Sequence, residues 1–244
     1  MNEISHPAAV FFDAYGTIIS MQQDISPPEY VHQGLAERGV RLPATTVARA
    51  VAIEATFFRE RQVHVHTPEQ LAELRMAAAG VLRDALGGDE ACPLSLDVVL
   101  GLILGAFKTV LLPDAPEAIA RVRRAGMAAG VLSNFSYVLP LLLQELQIRE
   151  LLDPIVTSAD VGAEKPSPEI FEAAAARVGA PVPECVLIGD DLANDIDGAR
   201  AVGMPSIWIA RDGAPAPSGV LTARTLVEAV TLTLTSDWRR FSLT

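Results

Sequence analysis

From Asp114 onward, short apolar runs alternate with amphipathic helical patterns, and this alternation constrains the fold more than any other feature of the chain. DAPEAIARVRRAGM predicts a helix, AAGVLSN a strand, VLPLLLQELQI a helix and PIVTS a strand. PEIFEAAAARVG (helix), CVLIGDD (strand), LANDIDGARAVG (helix), PSIWIA (strand) and LTARTLVEAVTLTL (helix) continue the series. Strands separated by helices are joined by crossovers, so they form a parallel sheet covered on both faces. One earlier strand, AAVFFDAY, stands near the N-terminus.

Between that strand and the alternating part, residues 24–110 carry apolar residues at three- and four-residue steps in PPEYVHQGLAERG, TTVARAVAIEATFFRERQ, PEQLAELRMAAAGVLRDALGG and LSLDVVLGLILGAFK. Ser26 before Pro27, Thr67 before Pro68 and the stop at Gly87-Gly88 frame these as helices. The expected class is therefore α/β: a Rossmann-like parallel-sheet core over residues 1–22 and 109–244, with a helical insertion over 23–108. Residues 213–219 read as a loop, and the tail SDWRRFSLT receives no element.

Several function classes are excluded at this point. The 244 residues carry a formal charge of −11 without any basic run, which argues against nucleic acid as the main partner. No apolar run is long enough to span a membrane, because glycines break the best candidate, 98–110. MNEISHPAAVFF has no basic region ahead of its apolar segment, so no signal peptide is expected and the location expected is cytoplasmic. Cys92 and Cys185 lack ligand spacing and are expected to be reduced thiols, with Cys185 packed in the core.

In open parallel sheets, ligands bind beyond the carboxyl ends of the strands. Asp13 follows VFF, Ser133-Asn134 follow GVL, Asp190-Asp191 follow VLIG, and Lys165 lies in the loop after PIVTS. Taken singly, Asp13 reads as a helix cap, Ser133-Asn134 as a turn and Lys165 as a solvated charge. Taken together on one edge, they read as a site. Clustered aspartates without Cys or paired His suit a hard cation such as Mg2+, which would offset their repulsion and accept a small anionic substrate. Lys165 would add fixed positive charge, Thr17 and Ser133 could donate to substrate oxygens, and an ionised Asp in line with an electrophile can form an ester.

FFDAYGT, VLSN, the Lys of AEKPSPEIF and IGDDLANDIDGA resemble, in order, the four motifs of the haloacid dehalogenase superfamily. The insertion after the first strand is similar to that family's helical cap. The resemblance implies a hydrolase in which Asp13 is the nucleophile, Thr17, Ser133 and Asn134 hold the substrate and order the site, and Lys165 neutralises the nucleophile and the transferring group. Tyr15 and Gly16 occupy the substrate side of the first motif. The Mg2+ ligands implied are Asp13, the backbone oxygen of Tyr15 and Asp190, with Asp191 or Asp195 as a further ligand or as a partner of Lys165.

The two ends of the motif set point to different chemistries. Phosphatases of the superfamily carry Asp-x-Asp at the first motif, the second acid protonating the leaving group. Here that position is Tyr15, as in the 2-haloacid dehalogenases, and its reference pKa of about 10 makes it a poor base at neutral pH. The last motif favours phosphate. Dehalogenases generally have Ser and Asn where this chain reads IGDDLAND; their Asn is Leu192 here, and their Tyr after the motif lysine is Phe171. Arg41, in GVRLPATT, does not match a dehalogenase arginine. The expectation is a Mg2+-dependent phosphatase acting on a small phosphorylated metabolite. The alternatives are a metal-independent 2-haloacid dehalogenase and a member without turnover that binds a ligand or protein partner.

In the insertion, Arg59, Arg61, His64 and His66 could meet the distal part of an anionic substrate; equally, they suit a solvated helix end. His64 and His66 alternate, as in an extended exit from the helix. The apolar pattern over 94–107 must bury a face within the insertion or against a second copy, so both monomer and homodimer fit.

Overall fold

Strand β1 (Ala9–Phe12) is wholly buried because it is an interior strand of the sheet. It pairs in parallel with β4 (Ala128–Ser133) on one side and with β6 (Cys185–Gly189) on the other. The computed structural model describes residues 6–22, 25–235 and 238, so the tail expectation, Trp238 aside, lies outside the described residues, as do Asp24 and residues 1–5. The six-stranded sheet has the order β5-β4-β1-β6-β7-β8, completed by β5 (Ile155–Thr157), β7 (Ser206–Ile209) and β8 (Thr222–Ala223). Every pairing in it is parallel.

The two-residue period of the strands divides the core into two layers. Val10 and Phe12 join Val131, Val186 and Ile188 on one face, with α6 (Ala115–Arg124), α7 (Val138–Glu145) and α11 (Leu226–Thr235) supplying Ile119, Leu139 and Val230. Ala9 and Phe11 join Leu132, Cys185 and Leu187 on the other, against Ile170 and Phe171 of α9 (Pro168–Arg177). Full burial of a phenylalanine contributes about 1.5–3 kcal/mol, so Phe11 and Phe12 alone anchor β1 strongly. Burial also pushes the Cys185 thiol up to about 11, which suits the packing role expected of it.

The chain divides into two units, one running to Ser20 and from Leu111 onward, the other spanning Met21–Val110. The short strands β2 (Ile19–Met21) and β3 (Thr109–Leu111) pair where the chain passes between units. The second unit contains α1 (Pro27–Glu37), α2 (Ala44–Arg61), α3 (Pro68–Ala85), the one-turn α4 (Gly88–Ala91) and α5 (Leu96–Ala106). Its core joins Val31, Leu35, Val47, Val51, Leu82, Cys92, Val99 and Leu102. Thr67 starts α3 with a reciprocal cap: Gln70 N donates to Thr67 Oγ1 (3.2 Å) and Thr67 N to Gln70 Oε1 (3.2 Å). Gly87 and Gly88, at φ 114° and 69°, end it.

The structure corrects the sequence in several places. The last helix starts at Leu226 and not at Leu221, because Thr222 and Ala223 pair with β7 and Thr225 caps the turn, its Oγ1 accepting from Glu228 N (3.1 Å). Thr-x-x-Glu in TLVE is the signal that marks this start. Residues Leu192–Asp197 form a π-turn, leaving only Gly198–Ala201 (α10) as α-helix. A one-turn helix, Ser158–Val161 (α8), follows β5. His64 closes a 3-10 turn, Gln62–His64, instead of lying on an extended exit. Among the described residues, no helix is long and apolar enough to cross a membrane.

Candidate active site

Because β4, β1 and β6 are neighbours, the residues at their carboxyl ends meet: Ser133, Asp13 and Asp190. Asp13 N donates to Ile188 O (2.9 Å), which fixes the first residue past β1 against β6. Lys165, only 3% exposed, reaches this edge from the loop before α9 and directs its ammonium to three acceptors. These are Asp13 Oδ1 (2.6 Å), Asp195 Oδ1 (2.5 Å) and Leu132 O (3.0 Å). All three ammonium protons are thereby engaged.

Asn134 does its work on the lysine's backbone. Its Nδ2 donates to Lys165 O (2.9 Å), while Lys165 N donates to its Oδ1 (2.6 Å). Such a two-point clamp sets where the lysine side chain begins. The resemblance implies that Asn134 helps hold the substrate and order the site; in the structure its amide orders Lys165.

Electrostatically, the edge balances burial against pairing. Burial raises the Asp13 carboxyl above its ordinary range, and Lys165 opposes that rise, helped by a hydrogen bond from Ser133. Burial, with the Asp13 charge next, raises Asp195 to about 6 against the pull of Lys165. Burial also raises Asp190, while Thr17 favours its ionised form by donating to Oδ1 (3.1 Å). For Lys165, burial works against the ammonium, but Asp13 and Asp195 outweigh it and raise its pKa. Lys165 is thus a permanent cation at neutral pH.

Two glycines permit this closeness. At Gly189 a Cβ would overlap the Asp195 carboxylate, and at Gly16, with φ at 84°, one would overlap that of Asp190. Gly16 sits in the turn that follows Asp13, where Ala14 O accepts from Ile18 N and Ile19 N, both at 2.9 Å. Thr17 is fully buried in that turn, whereas Tyr15 is 47% exposed.

Asp195 reaches Lys165 because the π-turn widens the backbone: Asp195 N and Ile196 N both donate to Asp191 O (2.9 and 3.3 Å). Asp191 itself is engaged locally. Its Oδ1 accepts from Ala193 N and Asn194 N (both 2.9 Å) and its Oδ2 from Asn194 Nδ2 (2.9 Å), and the Asn194 backbone bond leads in holding its pKa down. Of the aspartates named from sequence, Asp13, Asp190 and Asp195 bring carboxylate oxygens within 4.8 Å of one another. An all-oxygen set of this kind fits Mg2+.

Other positions singled out in the sequence are engaged elsewhere. Phe171 is buried where a Gly198 Cβ would touch its ring, and Leu192 packs on Ile196, Trp208 and Ala210. In the helical unit, Arg61 lies over the Phe57 ring at 4.0 Å and donates to Phe57 O (3.3 Å). Arg59, His64 and His66 are exposed, as is Arg41. Sequence reading missed Trp208, whose Nε1 donates to Asp190 O (2.9 Å), and Arg211, which donates to Thr17 O (2.9 Å). The pattern IWIAR carried no signal for either contact, since both depend on which strand end lies alongside.

The family model described as a haloacid dehalogenase-like hydrolase matches residues 7–203. Over 202 residues, 82% of each chain, this protein is 29% identical to a phosphoglycolate phosphatase of Xanthomonas campestris. It is 36% identical over 103 residues to Phosphatase MT3486 of Mycobacterium tuberculosis, a match covering 41% of this chain and about half (47%) of that one. Among solved structures, a HAD phosphatase of Thermococcus onnurineus superimposes with a TM-score of 0.61 at 23% identity, covering 93% of this chain and 98% of that one. A 2-haloacid dehalogenase of Pseudomonas syringae superimposes at 0.59 and 21% identity, covering 93% and 97%, so the fold is shared by both chemistries. With the family motifs gathered on one sheet edge and the family match spanning most of its length, the chain belongs to the haloacid dehalogenase-like hydrolases.

Proposed function

We propose that the protein is a Mg2+-dependent phosphomonoesterase for a small phosphorylated metabolite, acting through an aspartyl intermediate on Asp13. One observation carries this reading: three carboxylates, Asp13, Asp190 and Asp195, converge within 4.8 Å. An anionic substrate entering such a cluster needs more positive charge than Lys165 alone supplies. Mg2+ held by Asp13 and Asp190, and by Asp195 or the Tyr15 backbone oxygen, would supply it and draw charge from the transferring phosphoryl group.

The Asp13 oxygen not held by Lys165 attacks phosphorus, and an acyl phosphate forms as the bond to the alcohol oxygen breaks. The departing alkoxide takes a proton from water. Water then adds at phosphorus, the acyl–phosphate linkage breaks at the phosphorus–oxygen bond, and inorganic phosphate leaves with the carboxylate restored. Lys165 holds the Asp13 carboxylate in place throughout. Thr17 keeps Asp190 oriented. The phosphatase names among the relatives support this direction.

Tyr15 favours a second reading, metal-independent dehalogenation. It stands where a phosphatase would carry its proton donor, and a halide leaves without needing a proton. Assays on p-nitrophenyl phosphate and a phosphometabolite panel, with Mg2+ or EDTA, beside halide release from chloroacetate, separate the two. Phosphate release that EDTA abolishes supports the proposal; halide release insensitive to EDTA overturns it. The variant Tyr15→Asp is expected to raise phosphate release by roughly 10²-fold, the lower end of general acid-base contributions.

A further inference from the structure

Arg211 lies just beyond β7, outside all four family motifs, yet its guanidinium joins the Asp114 carboxylate to the Thr17 turn. Nη1 donates to Asp114 Oδ2 (3.0 Å) and Nη2 to Asp114 Oδ1 (3.1 Å), the planar two-bond arrangement that only arginine provides. Nη2 also donates to Thr17 O (2.9 Å). Asp114 is held from a further side, its Oδ2 accepting from Leu226 N (2.7 Å) at the start of α11. Asp114 and Arg211 side chains are only 17% and 31% exposed, so this pair is shielded more than a surface ion pair.

The held carbonyl belongs to the residue that governs Asp190. Thr17 Oγ1 donates to Asp190 Oδ1, and the neighbouring Gly16 lies against the same carboxylate so closely that a Cβ would overlap it. Within the turn, the amides of Ile18 and Ile19 already point inward to Ala14 O. The Thr17 carbonyl is therefore a side-chain-held tie between the turn and the rest of the sheet edge, beside the backbone tie in which Ile18 O accepts from Leu112 N (3.0 Å). We propose that Asp114 and Arg211 form a clamp that positions the Thr17 turn, and through it the Asp190 carboxylate, for the reaction. Arg211 is a positioning residue here: it touches the turn and not the cluster.

The metal arm of the test rests on the phosphatase reading; the exchange arm does not. In hydrogen exchange by mass spectrometry, Arg211→Met is expected to speed exchange at Ile18 and Ile19 about tenfold while leaving β6 unchanged, because the turn opens locally. In Mg2+ titration by calorimetry, the same variant is expected to bind about tenfold more weakly, the low end for loss of a residue behind a ligand. Asp114→Asn and the double variant should match that loss without adding to it, since all act through one clamp. Arg211→Lys keeps the charge beside Asp114 but not the fork, so it should restore neither measurement. Unchanged exchange at Ile18 and Ile19, a rise spread evenly over the core, additive losses, or full rescue by lysine would each overturn the clamp. Absence of Mg2+ binding by the unaltered protein would sink the phosphatase reading, with the exchange arm still deciding the clamp.

Discussion

The sheet edge of the core and the buried stripe of α2 both take carboxylates out of water, and they handle the charge in opposite ways. At the edge, Asp13 and Asp195 share the Lys165 ammonium, which has no donor left over. On α2, Glu54 continues the stripe of Val47, Ala50 and Val51, is 2% exposed, and among the described residues has no hydrogen-bond partner for Oε2. Burial alone lifts its carboxyl to about 7, whereas Asp195, with a lysine in contact, is lifted to about 6. Burial without a counter-charge pushes a carboxyl toward its protonated form, and a fixed cation in contact opposes that push. In the helical unit burial acts on Glu54 unopposed, while at the sheet edge Lys165 opposes the rise at both Asp13 and Asp195.

The comparison can be broken most forcefully at Asp13. Asp13→Asn removes the proposed nucleophile and should lower turnover by at least about 10³-fold in a phosphate-release assay. It should leave a folded protein, because Lys165 retains Asp195 and Leu132 O. A variant with more than a tenth of the activity would place the reaction elsewhere.

The next effect is one of stability. Folded Glu54 titrates at about 7 and its ordinary value is 4.5, so between those pH values the folded state holds a proton that the unfolded chain has released. Its contribution is present in full below 4.5 and is lost as pH rises through 7, by up to about 3 kcal/mol. Glu54→Gln, which cannot ionise, should therefore gain stability relative to the unaltered protein between pH 5 and pH 8 in urea unfolding. A difference that stays flat with pH would mean Glu54 is charged in the fold.

The smallest effect tests the frame that holds Glu54. Thr67→Ala removes the reciprocal cap of α3 and should cost about 1 kcal/mol, read as a lower urea midpoint with turnover per folded molecule unchanged.

Much of the core was legible because its signals are local. The apolar runs before Asp13, Ser133 and Asp190 mark strands, and a parallel sheet brings their ends together whatever the loops do. The work done by each polar group was less legible. Asn134 and Asp191 carry side chains suited to substrate or metal, and in the fold each also accepts from a backbone amide, that of Lys165 and that of Ala193. Trp208 and Arg211 gave no hint, since the acceptor of one lies just past the neighbouring strand β6 and that of the other in the turn after β1, 194 residues away. The π-turn was hidden for a related reason: its composition is helical, and the room it needs beside Asp195 is left by a bare Gly189 on another element.

The central position of β1 has a consequence for how the site is completed. β1 precedes both of its sheet partners in the chain, and the lysine that grips Asp13 lies 152 residues later. A chain lacking those segments carries the proposed nucleophile without its lysine partner. Under the proposed function, Asp13 gains its full surroundings only once β4, β6 and the Lys165 loop are in place.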